Sequence, residues 1–163
     1  MQEIVKSFEL GQYVGFKVEA EEETQFINEL INRIIDSSDL QFYEDVLDQE
    51  AERVERELRS GLSQNMKSVG ASCYVNGIEE SGLREHCRGM LVRTAAENLV
   101  IQGIAKAEGI EVSDKDLAAY KSTYREQYAR TLLSDPDSTD DELRQAILVK
   151  KVLRFLMQNN MRG

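Results

Sequence analysis

Residues 104–117 read IAKAEGIEVSDKDL, and this stretch contains the end of one helix and the start of the next. Gly109 follows a run of helix-forming residues, and glycine is common just past a helix C-terminus because it adopts left-handed backbone angles easily. Asp116 follows Ser113 by three residues, an approximate capping box that satisfies free N–H groups of a first helical turn. The stretch therefore predicts two helices joined by a short turn.

Apolar residues recur at intervals of three and four on both sides of this turn, which is the periodicity of helices. The chain has only one proline, Pro136, so long helices are not interrupted. Five helices are predicted: one capped by Thr24, one from about Tyr43 to Val69, one from Glu79 to Glu108, one from Ser113, and one after the capping box of Thr139 and Glu142. The fold class is therefore all-α.

Residues 1–20 differ from the rest of the chain. Phe16, Val18 and Ala20 alternate with Lys17 and Glu19, which indicates one short extended stretch. A lone strand is unstable, so this one needs a partner edge, a helical surface or a neighbouring domain. We expect residues 1–20 to form an extended connector that packs on a helical body at residues 21–163.

The charge balance excludes several classes of partner. The chain has 163 residues and a net charge of −10, from 20 basic and 30 acidic residues. Such a charge disfavours nucleic acid and anionic membrane surfaces, and it favours solubility. Met1 to Gly15 has no apolar core of a signal peptide, and no apolar run is long enough to cross a bilayer. We expect a cytoplasmic protein that keeps Cys73 and Cys87 as free thiols.

No group of residues predicts catalysis or metal binding. His86 is the only histidine and neighbours Cys87, but adjacent helical residues do not face each other, and no third group orients the pair. Together with Cys73, they fit no zinc spacing. A surface histidine beside a semi-buried cysteine is the preferred interpretation, and we expect neither an enzyme nor a cofactor.

Three residues imitate the first half of a calcium loop: Asp135, Asp137 and Thr139. The loop requires Gly at its sixth position and Glu at its twelfth, where this chain has Asp140 and Ala146. A turn rich in helix-capping residues explains the segment better.

Two sets of side chains could serve either packing or binding. Tyr120, Tyr124 and Tyr128 repeat every four residues, which is more often half-buried packing than a binding platform. The methionines are interpreted as core fillers unless an adaptable groove exists: Met66, Met90, Met157 and Met161. On the second helix, Glu55 precedes Arg59 by one turn, which predicts an exposed ion pair.

Several segments resemble the trigger factor family. The 104–117 stretch is similar to the place where one long arm helix ends and the next arm begins. Residues 29–35 and 46–50 resemble the family's opening helices, and residues 147–156 resemble its closing helix. Residues 83–85, Ala96 and Leu99 resemble the helix that leads into the 104–117 stretch. Residues 9–19 are similar to the connector that leaves the ribosome-binding domain. The family usually has Pro before its arm helix, where this chain has Phe42 and Tyr43.

The resemblance implies an elongated body of about five helices with two arms around a crevice. The crevice would bind unfolded or nascent polypeptides reversibly and without ATP. The ribosome-docking and prolyl-isomerase domains have no counterpart in the chain, with a junction near residues 20–23, so no direct ribosome docking is expected. The expected polypeptide-binding residues lie near the arm tips: Met66, Val69, Tyr74, Val75, Leu132 and Leu133.

Two non-catalytic functions remain open from the sequence. A chaperone module would suppress aggregation of an unfolded client at near-stoichiometric amounts. A protein-interaction module would instead cover the same apolar surface with one fixed partner or with a second copy, as a homodimer.

Overall fold

The computed structural model describes residues 4–64, 82–131 and 140–163. Within those ranges the chain forms five helices and four short strands. The helices are α1 (Glu23–Ser37), α2 (Glu44–Gln64), α3 (Leu83–Glu108), α4 (Asp114–Thr131) and α5 (Asp140–Asn159), and the strands are β1 (Val5–Glu9), β2 (Lys17–Val18), β3 (Asp39–Phe42) and β4 (Met161–Arg162). The predicted all-α class and its short extended N-terminal segment are confirmed. The two-armed outline stays a prediction.

The chain divides into two compact units. Unit 1 combines Met1–Glu9 with Ser38–Leu99, and unit 2 combines Leu10–Ser37 with Val100–Gly163. The division between a connector at 1–20 and a helical body at 21–163 stays a prediction.

The described residues of unit 1 include a small sheet, α2, most of α3 and two apolar clusters. β1 and β3 pair antiparallel, and the Tyr43 N–H extends the pairing by donating to the Ile4 carbonyl at 2.8 Å. One cluster contains Ile4, Leu47 and Ala95, and the other contains Ala51, Leu83 and Cys87. Because α2 and α3 contribute to both clusters, burial of apolar surface holds the two helices together.

Unit 2 contains a parallel pair of strands and its own core. β2 pairs with β4, where the N–H groups of Met161 and Gly163 donate to Phe16 and Val18, each at 2.8 Å. α4 and α5 share a cluster of Leu117, Leu143 and Ile147. The other buried apolar residues come from β2, α1, α3 and α5: Val18, Phe26, Leu30, Ile31, Ile34, Val100, Ile101, Ile104, Ala105, Val152 and Leu156.

The turn between α3 and α4 confirms the prediction from residues 104–117. Gly109 has φ +64°, and the Ile110 N–H donates to the Ala105 carbonyl at 2.8 Å, as in a Schellman motif. The Ser113 N–H donates to Asp116 Oδ2 at 3.0 Å, and the Asp116 N–H donates to Ser113 Oγ at 3.1 Å. Both ends of the turn are therefore fixed by local hydrogen bonds.

Other predicted boundaries need correction. α1 begins at Glu23 rather than after Thr24, because the Phe26 N–H already bonds to the Glu22 carbonyl at 3.0 Å. The predicted extension of α2 to Val69, the start of α3 at Glu79, and Thr139 lie outside the described residues. None of the helices in the described ranges is both long and apolar enough to span a membrane.

Candidate polypeptide-binding surfaces

The predicted polypeptide-binding residues lie outside the described residues, which end at positions 64 and 131 and resume at 82 and 140. This applies to all six: Met66, Val69, Tyr74, Val75, Leu132 and Leu133. The structure does describe the helices that lead to and from both segments.

Glu55 joins α2 to α3 within unit 1. Its Oε2 accepts a bond from Arg84 Nε at 2.7 Å, and its Oε1 accepts one from Arg59 Nη2 at 2.9 Å. The pKa of Glu55 is lowered, first by the hydrogen bond from Arg84 and then by that from Arg59. The predicted pair of Glu55 with Arg59 is present, but the prediction that it is exposed is wrong, because Glu55 is buried. Glu55 bridges two helices.

Replacing Glu55 by alanine should lower the urea midpoint of unfolding, because Arg59 and Arg84 would lose their shared acceptor between the two helices. Circular dichroism measures this midpoint. The matched control is Glu52→Ala, which removes an exposed glutamate from the same helix. An equal midpoint for the two variants would show that the bridge contributes nothing.

A second ionic contact joins the same helices nearer the sheet. Arg88 Nε donates to Asp48 Oδ1 at 3.0 Å, and its Nη2 contacts Glu44. These hydrogen bonds raise the pKa of Arg88, with the bond to Asp48 as the largest cause. The helices on either side of residues 65–81 are therefore connected by polar contacts as well as by apolar clusters.

Among the described residues of unit 1, two large apolar side chains are exposed. Tyr43 is 47% exposed at the start of α2, and Met90 is 43% exposed on α3. In unit 2, Val14 is 41% and Met161 is 67% exposed. The interpretation of Met90 and Met161 as core fillers is therefore wrong, whereas Met157 is half-buried. Met suits an adaptable contact surface because its side chain is flexible and polarisable.

The start of α4 in unit 2 is held by Lys151. Its Nζ donates to Asp116 Oδ2 at 2.5 Å and to the Glu111 carbonyl at 2.8 Å. Arg144 adds bonds to the Val112 carbonyl at 3.2 Å and to Asp114 Oδ1 at 2.5 Å. These bonds fix α4 against α5 at one end, and residues 132–139 connect their other ends.

Acid should weaken this junction in a defined pH window. The Lys151 hydrogen bond, followed by those of Ser113, lowers the pKa of Asp116 from 3.8 to about 2. Because the pKa of Asp116 is lower in the folded chain than in the unfolded chain, its ionised carboxylate stabilises the fold at pH values above the unfolded pKa. This stabilisation is lost as the pH falls through the folded pKa. The stability difference between the parent and Lys151→Met should be constant above about pH 4 and shrink between pH 4 and 2.

Urea titrations at pH 6, 4, 3 and 2 test this expectation. A matched control is Lys150→Met, which removes the neighbouring lysine. The Nζ of Lys150 lies 4.9 Å from the centroid of the Tyr120 ring, so its contact is with an aromatic ring and not with a carboxylate. The stability difference between the parent and Lys150→Met should not shrink between pH 4 and 2. A pH-independent effect of Lys151→Met would contradict the ion-pair explanation.

The tyrosine stripe is described only at its first member. Tyr120 is half-buried and packs against the cluster of Leu117, Leu143 and Ile147, with Lys150 over its ring. This supports packing for Tyr120. The side chains of Tyr124 and Tyr128 lie outside the described residues.

The residues considered for catalysis do not form a site within the described ranges. Cys87 is fully buried rather than semi-buried, whereas His86 is exposed. Cys73 and the calcium-loop segment at Asp135, Asp137 and Thr139 lie outside the described part of the chain. Among the described residues, no group of three or more His, Cys, Asp or Glu side chains could hold a metal ion.

Comparisons with known proteins agree with this architecture. Residues 12–158 match the family described as bacterial trigger factor protein C-terminus. Trigger factor from Bacillus subtilis is 23% identical over 143 residues, which are 86% of this chain and 34% of that protein. Trigger factor from Bacillus thuringiensis is 25% identical over 147 residues, covering 89% of this chain and 34% of the relative.

Solved structures share the fold. Trigger factor domains from Thermotoga maritima superpose with a TM-score of 0.60 at 20% identity, covering 92% of this chain and 93% of that one. A second structure concerns promiscuous substrate recognition in folding and assembly activities of the trigger factor chaperone. It has a TM-score of 0.56 at 20% identity, covering 82% of this chain and 33% of that one.

This chain spans about a third of the length of the curated relatives that it matches. The family model nevertheless covers most of the chain, from residue 12 to residue 158. The chain therefore belongs to the trigger factor C-terminal domain family.

Proposed function

We propose that this chain is an ATP-independent chaperone module that binds unfolded or nascent polypeptides reversibly in the cytoplasm. The observation that carries the proposal is the match of residues 12–158 to the trigger factor C-terminal family. One structural neighbour is a trigger factor chaperone described as having promiscuous substrate recognition in its folding and assembly activities. In this proposal the chain binds its clients and performs no chemistry on them.

The proposed contacts with clients are made by apolar side chains that are surrounded by charged residues on the protein surface. Exposed apolar patches on soluble proteins commonly mark interaction sites. Tyr43 and Met90 are such side chains in unit 1, and the net charge of −10 keeps the chain soluble. We further propose that the six residues near positions 65–81 and 132–139 contact clients: Met66, Val69, Tyr74, Val75, Leu132 and Leu133.

A permanently unfolded, fluorescently labelled protein tests the proposal. The chain should bind it saturably, and should suppress the aggregation of a denatured client at near-stoichiometric amounts. Burial of one Met or Leu side chain is worth about 1.5–3 kcal/mol, so Met66→Ser combined with Leu132→Ser should weaken binding by at least about tenfold.

The matched control is Val14→Ser combined with Met161→Ser, which removes two exposed apolar side chains from unit 2. This control should keep its affinity within about threefold, a change of less than 1 kcal/mol. An equal loss in both variants would contradict the proposed location.

Light scattering on the same samples separates the proposed function from its alternative. A monomer or weak dimer that binds the client supports the chaperone module. A stable homodimer that binds no client would instead identify an interaction module that keeps the family's fold.

A further inference from the structure

The buried apolar side chains of unit 1 are smaller than those of unit 2. Among the described residues of unit 1, the buried apolar ones are Ile4, Leu47, Leu83, Ala51, Cys87, Ala95 and Ala96. Most of these are alanine or cysteine. In unit 2, large side chains such as Phe26, Leu30 and Ile34 predominate. Because the free energy of burial grows with the apolar area removed from water, the described core of unit 1 contributes less stability than that of unit 2.

The polar contacts inside the two units differ in the same direction. Arg84 and Arg88, which connect α3 to α2 in unit 1, have side chains that are 58% and 39% exposed. Ion pairs that water reaches contribute little to stability. In unit 2, the buried side chain of Asn160 exchanges hydrogen bonds with main-chain groups before β2 and at the end of α5. Hydrogen bonds shielded from water are stronger, so unit 1 also has the weaker polar support.

One helix belongs to both units. α3 runs from Leu83 to Glu108, and the division between the units falls after Leu99. The part before the division contributes Leu83 and Cys87 to an apolar cluster of unit 1. The part after it is buried in unit 2, where Ile104 is fully buried. The two parts of one continuous helix are therefore stabilised by different cores.

We propose that unit 1 opens as one cooperative unit while unit 2 stays folded. In the open state, α2 and the first part of α3 separate, and the side chains of both apolar clusters of unit 1 reach solvent. Leu91 packs against both clusters, which couples their opening. Openings of this kind have free energies anywhere between zero and that of global unfolding, and a small core places them at the low end. The inference goes beyond the proposed function, because the opening requires no client.

Cys87 is a natural reporter of this opening. Its thiol is fully buried in the cluster with Ala51 and Leu83, so an alkylating reagent reaches it only in an open state. The replacement Cys73→Ser leaves Cys87 as the single thiol of the full chain. The rate at which iodoacetamide modifies the folded chain, followed by mass spectrometry, then measures how often unit 1 opens.

Leu47→Ala tests whether the two clusters open together. Leu47 is fully buried in the other cluster, with Ile4 and Ala95, so its truncation destabilises the closed state at a distance from Cys87. Leu-to-Ala replacements in cores correspond to an increase in the modification rate of Cys87 of at least about twentyfold. An unchanged rate would show that only the surroundings of Cys87 open, and would overturn the proposal.

The matched control is Leu156→Ala in the same Cys73→Ser chain. Leu156 is a fully buried leucine of α5 in unit 2, so its truncation weakens the other core by the same chemical change. The modification rate of Cys87 should stay within about threefold of the parent rate, a change of less than 1 kcal/mol. Equal acceleration by Leu47→Ala and Leu156→Ala would show that the chain opens as one body, and would also overturn the proposal.

Amide hydrogen exchange on the parent chain tests the same proposal without a core substitution. Within α3, the amides of residues 88–98 should be at least about tenfold less protected than those of residues 101–108. They should also share one urea dependence with the amides of β1, β3 and α2, which separates cooperative opening from fraying of a helix end. Uniform protection along α3, or a separate urea dependence for α2, would overturn the opening of unit 1 as one unit.

Discussion

A single methyl group added at Gly11 should lower the free energy of unfolding by about 3 kcal/mol, the upper part of the range for overpacked sites. A Cβ atom there would lie 2.1 Å from the Ser37 carbonyl oxygen and 2.5 Å from Ser37 Oγ. Ser37 ends α1, and its hydroxyl contacts the Gln12 and Ile34 carbonyls at 3.0 and 2.9 Å. The chain must move away from α1 to accommodate the added methyl group, and these contacts are lost.

Urea unfolding followed by circular dichroism measures the effect of Gly11→Ala. The matched control is Gly89→Ala, where an added Cβ on α3 meets nothing within 4 Å. Alanine is favoured over glycine inside a helix, so this control should raise stability by about 0.5–1 kcal/mol. Equal stability of the Gly11→Ala variant and the parent would show that residues 10–12 do not pack on the end of α1 as described.

The helices and their turn were predictable because the signals are local. Gly109 and the Ser113–Asp116 box act within one turn of the chain, so their residue types alone define the boundary between α3 and α4. β2 was predictable in the same way, since Val18 is buried while Lys17 and Glu19 are exposed. Thr24 shows the limit of a local signal, because α1 begins at Glu23.

Features that depend on distant residues were not predictable. β3 and β4 each become a strand through pairing with a distant segment, β1 and β2 respectively. Glu55 was predicted to pair with Arg59 one turn away, but its bond to Arg84 joins residues 29 positions apart.

The predicted binding residues illustrate a different limit. Apolar residues near helix ends, such as Met66 and Leu132, fit a client-binding surface and an ordinary core equally well. Met90 and Met161 were interpreted as core residues and are exposed, because helical periodicity tells which residues share a face but not what covers that face. The six binding residues therefore stay a prediction.

Replacement of Asn160 by alanine should destabilise unit 2 by about 3 kcal/mol, because two or more main-chain groups would lose their partners at about 1–3 kcal/mol each. Asn160 is buried, and its Oδ1 accepts a bond from the Phe16 N–H at 2.8 Å. Its Nδ2 donates to the carbonyls of Tyr13 and Leu156 at 3.0 and 2.9 Å. One side chain therefore joins the segment before β2 to the end of α5.

Amide hydrogen exchange and urea unfolding test this role. The Met161 and Gly163 amides, which pair β4 with β2, should lose protection in Asn160→Ala. The matched control is Asn159→Ala, since Asn159 is exposed and its Nδ2 bonds only to the nearby Phe155 carbonyl at 2.8 Å. Surface substitutions of this kind change stability by about 0.5 kcal/mol or less. Equal effects of the two replacements would contradict the role of Asn160.

Asn160→Asp separates the acceptor role of this side chain from its donor role. A carboxylate still accepts the Phe16 N–H bond but cannot donate to the Tyr13 and Leu156 carbonyls, and its buried charge lies beside both oxygens. These neighbours raise the pKa of the introduced carboxyl in the folded state, so the variant is penalised most at neutral pH. Its stability should approach that of the parent as the pH falls from 7 towards 4, because a protonated carboxyl regains one donor. A penalty independent of pH would show that the donor bonds of Asn160 contribute little.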